Sequence, residues 1–127
     1  MSDEADIIAT FRRDIDTIMG LFADDDDITF WGSALPEEAV GREDLRGVLS
    51  RLFDAIPTSS FHLAYSARRV NVIGDVAWVN AAGTGTWDPG DGTIHEVPYR
   101  ITAVLVRRAE GWRWHTHQAS QPTPLDL

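Results

Sequence analysis

From residue 61 to residue 120 the chain reads FHLAYSARRVNVIGDVAWVNAAGTGTWDPGDGTIHEVPYRITAVLVRRAEGWRWHTHQAS, and this stretch decides the fold. Long runs rich in Val, Ile, Thr and aromatic residues are divided by short breakers. Phe61–Val72 reads as a strand that ends at Gly74-Asp75. Val76–Trp87 is the next, closed by Asp88-Pro89-Gly90-Asp91-Gly92, a strong turn signal. Val97–Arg108 follows, up to Ala109-Glu110-Gly111, and Trp112–Ser120 is the last. Connections this short join antiparallel neighbours, because a parallel crossover needs a dozen or more residues. Gln121-Pro122-Thr123-Pro124 cannot continue a central strand, since proline has no N–H for the ladder.

The first half of the chain has a different period. Ile7, Ile8, Phe11, Ile15, Ile18, Met19 and Phe22 recur at steps of three and four, which predicts one amphipathic helix. Ser2 or Asp3 can cap it, and the run Asp24–Asp27 ends it as a solvated loop. Ile28–Gly32 reads as a short strand, and Pro36-Glu37-Glu38 as a turn or brief helix. A second helix starts near Gly41–Asp44. Leu45, Val48, Leu49, Leu52, Phe53 and Ile56 form its apolar face, and Pro57 stops it. The order is helix, short strand, helix, antiparallel meander. Helices segregated from strands predict an α+β fold rather than a doubly wound one.

Composition agrees with one domain over residues 1–127. Hydrophobic residues make up 43% of the chain, enough for a core, whereas two domains of half this length would bury too little. The formal charge is −9, with eleven basic residues, all arginine, among twenty acids. A nucleic-acid binder needs a basic stripe to displace counterions, so neither nucleic acid nor an anionic membrane is an expected partner. There is no cysteine, which excludes disulfides and thiolate metal sites. The acidic start Met1-Ser2-Asp3-Glu4-Ala5-Asp6 has no apolar run of the signal-peptide kind, so a cytoplasmic location is expected.

Several segments resemble the SnoaL-like, nuclear-transport-factor-2-like superfamily. Leu21–Gly32 followed by Val40-Gly41-Arg42-Glu43-Asp44-Leu45 resembles its opening. Gly74–Val79, Arg100–Arg107 and Gly111-Trp112-Arg113-Trp114 resemble its last three strands. The resemblance implies a cone-shaped curved antiparallel sheet wrapped on the N-terminal helices, a pocket at the wide end, and a homodimer. Ketosteroid isomerases, polyketide cyclases, scytalone dehydratase, limonene-epoxide hydrolase and a non-catalytic kinase association domain share this fold, so it does not assign a reaction. Many relatives carry His-x-His-x-Ser in the last strand. Ser120 fits the serine, but His115 and His117 fall one place before the histidine positions, Thr116 and Gln118. They therefore face the other way unless a bulge shifts the register.

In the last strand His115 and His117 are two apart and share a face by the strand period. Two imidazoles can act as general acid and base, or serve structure alone. Trp112, Trp114, Thr116 and Gln118 make up the opposite face. Arg100 lies between apolar neighbours and could hold a ligand oxygen or pair with an acid. Trp31, Tyr65, Trp78, Asn80, Trp114 and Gln118 are the candidate ligand-lining residues, as aromatics and isolated polar groups line pockets for flat apolar ligands. Which face of the strands lines the pocket stays open. No carboxylate base is evident from Asp14, Asp16 or Asp27, and no metal or organic cofactor is expected. The expectation is a pocket for a small apolar or aromatic molecule. If it is an enzyme, it is a cofactor-independent isomerase, lyase (dehydratase or cyclase) or hydrolase. The alternative is a non-catalytic dimeric ligand-binding or oligomerisation module.

Overall fold

The computed structural model describes residues 15–34, 37–55, 60–88 and 92–125. Helix α1 covers Ile15–Leu21, and strands β1 and β2 cover Thr29–Trp31 and Glu38–Val40. Helix α2 covers Arg42–Ala55. The long strands are β3 (Ser60–Ile73), β4 (Val76–Asp88), β5 (His95–Arg108) and β6 (Gly111–Ser120). The start of the first helix and its caps lie outside the described residues. No helix among the described residues is long and apolar enough to cross a membrane.

The six strands form one curved sheet in the order β2-β1-β6-β5-β4-β3. The meander β3 to β6 is antiparallel throughout, as the short turns require. Two features differ from the expectation. The turn or brief helix expected at Pro36-Glu37-Glu38 is a turn at Glu37 that leads into an unexpected strand, Glu38–Val40, antiparallel to β1. β1 runs parallel to β6, so the sheet is mixed. The physical reason is connectivity: α2 carries the chain across the sheet, so β1 meets β6 from a distant point in sequence.

One face of the sheet and both helices share a single core. Ile18, Met19 and Phe22 from the first helix and Leu45, Val48 and Leu49 from the second are buried. They meet Ala77, Val79 and Ala81 of β4, and Ile101, Ala103 and Leu105 of β5. Alternation puts these strand residues on one face. The helix α2 begins where Gly41 takes φ +87°, a conformation that favours glycine. The Val40 N–H donates to the Asp44 carboxylate at 3.0 Å, which reaches back across the first turn as in a capping box.

Two bulges interrupt the ladders. Tyr65 pairs with Gly83 but Ala67 with Ala82, leaving Ser66 extra. Val104 pairs with Thr116 but Leu105 with Trp114, leaving His115 extra. A bulge of this type inverts the facing of every residue beyond it.

The acidic run after α1 is largely exposed, as a solvated loop, with Asp24, Asp26 and Asp27 all at the surface. Arg42 donates to the carbonyls of Phe22 and Ala23 at 3.1 and 3.0 Å and lies 3.6 Å from Asp24. Arg108 donates to Asp25 at 2.7 Å. His115 meets Asp27 at 3.0 Å. Two arginines and a histidine from three elements thus meet three acids of this loop.

Candidate functional site

The bulge at His115 reorganises the last strand. Trp114 opposes Leu105 and His117 opposes Ala103, and both of those β5 residues are core. Trp114 and His117 therefore point inward together although they are three apart. The expected pairing of His115 with His117 on one face is corrected, and so is the grouping of Trp114 with Thr116 and Gln118. His115 leaves the ladder toward the acidic loop. Its Nδ1 lies 2.8 Å from Thr116 Oγ1, its Nε2 3.0 Å from Asp27 Oδ1 and 4.0 Å from Asp25 Oδ2. Hydrogen bonding to His115 holds the Asp27 carboxyl below its usual range, and the imidazole's charge adds to this. Asp25, Asp27 and His115 could converge on a cation. Arg108 and His115 already satisfy these carboxylates.

His117 has the opposite environment. It is 7% exposed, stacked on Phe30 with ring centroids 5.5 Å apart. The Trp114 indole meets it edge-on at 5.4 Å. Its Nδ1 is buried and has no hydrogen-bond partner. Burial disfavours the charged form and pushes the imidazole down to about 4, so the ring is neutral at physiological pH.

His117 lines an enclosed cavity of about 40 Å³ with Phe30, Glu37, Leu49, Tyr99 and Ala119. Glu37 reaches this space because the chain turns back on itself after β1. The Gly32 N–H donates to the Glu37 carbonyl at 2.7 Å, and the Glu37 N–H to that of Ala34 at 3.0 Å. A Cβ on residue 32 would collide with the Glu37 carboxylate, so Gly32 leaves the gap that the side chain fills. Burial raises the Glu37 carboxyl above its ordinary value, opposed in part by a backbone hydrogen bond at Ala34.

Two tyrosines complete the interior wall. Tyr65, Gly83 and Tyr99 form one row across three strands. A Cβ on Gly83 would strike the Ala64 carbonyl and come within 2.8 Å of the Tyr65 Cα, so the bulged β3 can approach only because residue 83 is glycine. The Tyr65 hydroxyl is buried without a partner. The Tyr99 hydroxyl donates to Ser33 Oγ at 3.4 Å. Both phenols are raised, chiefly by burial. The expectation found no carboxylate base among Asp14, Asp16 and Asp27; the carboxylate that lines the cavity with Tyr99 is Glu37. Alternation with Ile101 and Ala103 marks Tyr99 as inward. Nothing in the local pattern marks Glu37, because its position depends on a turn rather than on a period.

The remaining expected residues stand elsewhere. Trp31, Gln118, Thr102, Asn80 and Arg69 form one cross-strand row on the face away from the helices. Thr102 donates to Asn80 across it at 3.2 Å. Trp78 lies on the same face opposite Val104, and Arg100 lies between Ala82 and Ser120. Arg100, Asn80 and Gln118 are exposed, as are Trp31 at 47% and Trp78 at 37%. The structure places these five side chains outside the cone, where alternation along each strand must send them once Ile101, Ala103, Ala81 and Val79 face inward.

This architecture, with inward Phe30, His117 and Tyr99 on a sheet curled over two helices, can be matched to known proteins. The SnoaL-like domain matches residues 5–124. The chain belongs to the SnoaL-like family. Among solved structures, this SnoaL-like chain is similar to a ketosteroid isomerase-like protein from Erwinia carotovora atroseptica. The two are 28% identical over 94% of this chain and 90% of that one, with a TM-score of 0.74. A nuclear transport factor 2-like superfamily protein from Salmonella enterica serovar Typhimurium is 16% identical over 97% and 88%, TM-score 0.79. A candidate calcium/calmodulin-dependent protein kinase type II association domain from Thiobacillus denitrificans is 23% identical over 94% and 92%, TM-score 0.73. The last two show the fold alone. No functionally curated protein matches the chain.

Proposed function

We propose that this SnoaL-like domain binds a small, mostly apolar molecule inside its cone and transfers a proton on it without a cofactor. The observation that carries this is the convergence of Glu37, Tyr99 and a neutral, unpartnered His117 on one enclosed cavity. Buried ionisable groups whose acidity is displaced by their surroundings, gathered in a pocket, are the signature of a reactive site. The Glu37 carboxyl, raised by burial, is suited to give and take a proton. His117 can accept a hydrogen bond, and Tyr99 can donate one to a developing oxyanion by turning from Ser33. This chemistry suits isomerisation, dehydration or cyclisation, and the likeness to a ketosteroid isomerase-like protein supports the reaction class. A cavity of about 40 Å³ admits a reacting group only. Whole ligands of drug size need several hundred Å³, so the ligand body has to displace side chains at the wide end.

A screen of steroids, aromatic polyketides and terpenoid epoxides by thermal shift tests this. A ligand of the native state raises the melting temperature by mass action. The expected hit stabilises the wild type and loses that effect in Glu37→Gln or His117→Phe variants that remain folded. A hit that both variants bind unchanged would move the site elsewhere, and silence across the panel would remove its support.

The outer face favours a second reading. Trp31 and Trp78 stand exposed beside the polar row, and a sheet face carrying indoles is a surface for a partner. On this reading the domain is a dimeric ligand-binding or oligomerisation module, with a second copy on that face.

A further inference from the structure

The donors and acceptors around the enclosed cavity narrow what it can hold, given that the cone interior is the binding site. Glu37 offers carboxylate oxygens. Among the described residues no arginine or histidine forms an ion pair with it. The influences on its carboxyl are burial and one backbone hydrogen bond at Ala34, with no basic side chain among them. His117 lines the same cavity, and its Nδ1 is buried without a hydrogen-bond partner. The Tyr99 hydroxyl already donates to Ser33. The remaining walls include Phe30 and Tyr99, whose ring faces carry negative potential.

This inventory centres on a carboxylate that no basic side chain among the described residues offsets. A carboxylate or phosphate would enter beside Glu37 with no counter-ion, which desolvation makes costly. A carbonyl oxygen would find a donor in a protonated Glu37 or in a Tyr99 hydroxyl turned from Ser33, and would leave an ionised Glu37 without a partner. A group that brings positive charge and several N–H donors satisfies Glu37 directly. The volume of about 40 Å³ admits one small head group, since roughly 10–15 Å³ of cavity on this measure holds a water molecule. The formal charge of −9 raises the concentration of cations near the protein.

We infer that the cavity takes the ammonium head group of a small, otherwise apolar amine, with Glu37 as counter-ion and the His117 ring beside it. Gly32 is what lets the counter-ion in, because a side chain there would occupy the place of the Glu37 carboxylate.

The experiment follows the ring resonances of His117 by NMR while ethylammonium chloride, ethanol or sodium acetate is added at constant ionic strength. Ethylammonium should move these resonances saturably and ethanol and acetate should not. Its affinity should rise with pH as Glu37 ionises. Glu37→Gln should weaken it at least tenfold while leaving the His117 resonances of the free protein in place. If ethanol binds as tightly as ethylammonium and Glu37→Gln changes neither, the ammonium class is refuted and the pocket stands. Preference for acetate refutes the class equally. If none of the three moves His117 but a larger neutral ligand from the thermal-shift panel does, the class again fails alone. If nothing moves it, the class and the pocket fail together.

Discussion

Replacing His117 with phenylalanine should flatten the acid side of the stability profile. The imidazole is sealed between Phe30 and Trp114 and titrates near 4 in the folded chain against 6.5 when free. Between those values the unfolded chain binds the extra proton and the native one does not. Stability then increases with pH across the window and is lost as pH falls from 6.5 toward 4. With about 1.36 kcal/mol per pH unit, the loss is about 1.4 kcal/mol at pH 5.5 and about 2.5 kcal/mol at pH 4.5. Phenylalanine keeps a ring of similar size against Phe30 and carries no proton. The carboxylates titrate in both proteins, so the difference between them isolates the histidine.

Urea denaturation at pH 7.5, 5.5 and 4.5 measures that difference, with transition midpoints and slopes compared at each pH. The wild type should lose about 2.5 kcal/mol more than the variant between the extremes. A difference constant to within about 0.5 kcal/mol, the scale of ordinary surface substitutions, would refute the burial of a neutral imidazole and the site built on it.

Two further outcomes test the scaffold and the outer face. Gly83→Ala should cost about 3 kcal/mol or more, because its Cβ meets backbone at Ala64 and Tyr65; urea melts that match wild type would show that β3 does not approach this closely. If a second copy sits on the outer face, the wild type should sediment at twice the 14.1 kDa chain mass, and Trp31→Arg/Trp78→Arg should return it to one chain with its melting curve little changed. A wild-type monomer at micromolar concentration, or a dimer unmoved by both arginines, would remove that reading.

The strands from Ser60 to Ser120 were legible because alternation is local and glycine-rich turns are explicit. Each of the four appears within a few residues of its expected bounds, and the second helix follows its apolar face at Leu45, Val48 and Leu49. The parallel contact of β1 with β6 was not legible, since no local pattern says which strand a short segment will meet across the chain. The acidic run Asp24–Asp27 is mostly exposed, as expected of a solvated loop, but its partners Arg42, Arg108 and His115 come from three distant elements and no local pattern names them.

The interior site turns on parity. In β6, Trp114 and Ala119 are both buried and are five apart, an odd number of steps. A regular strand of period two sends such residues to opposite faces. Both can face the core only if one residue between them leaves the ladder, and His115 does so. In β3 the pairing alone shows such a shift: Tyr65 occupies the row of Tyr99 and the exposed Arg68 the row of Ala81, an odd step, and Ser66 is the residue set aside. Apolar positions that change parity within one run are therefore a sequence signal for a bulge. In this chain that signal separates the two histidines: His115 turns to the acids Asp25 and Asp27 and His117 to the interior beside Phe30 and Trp114. Imidazoles two residues apart differ in burial because one extra residue decides which of them faces the core.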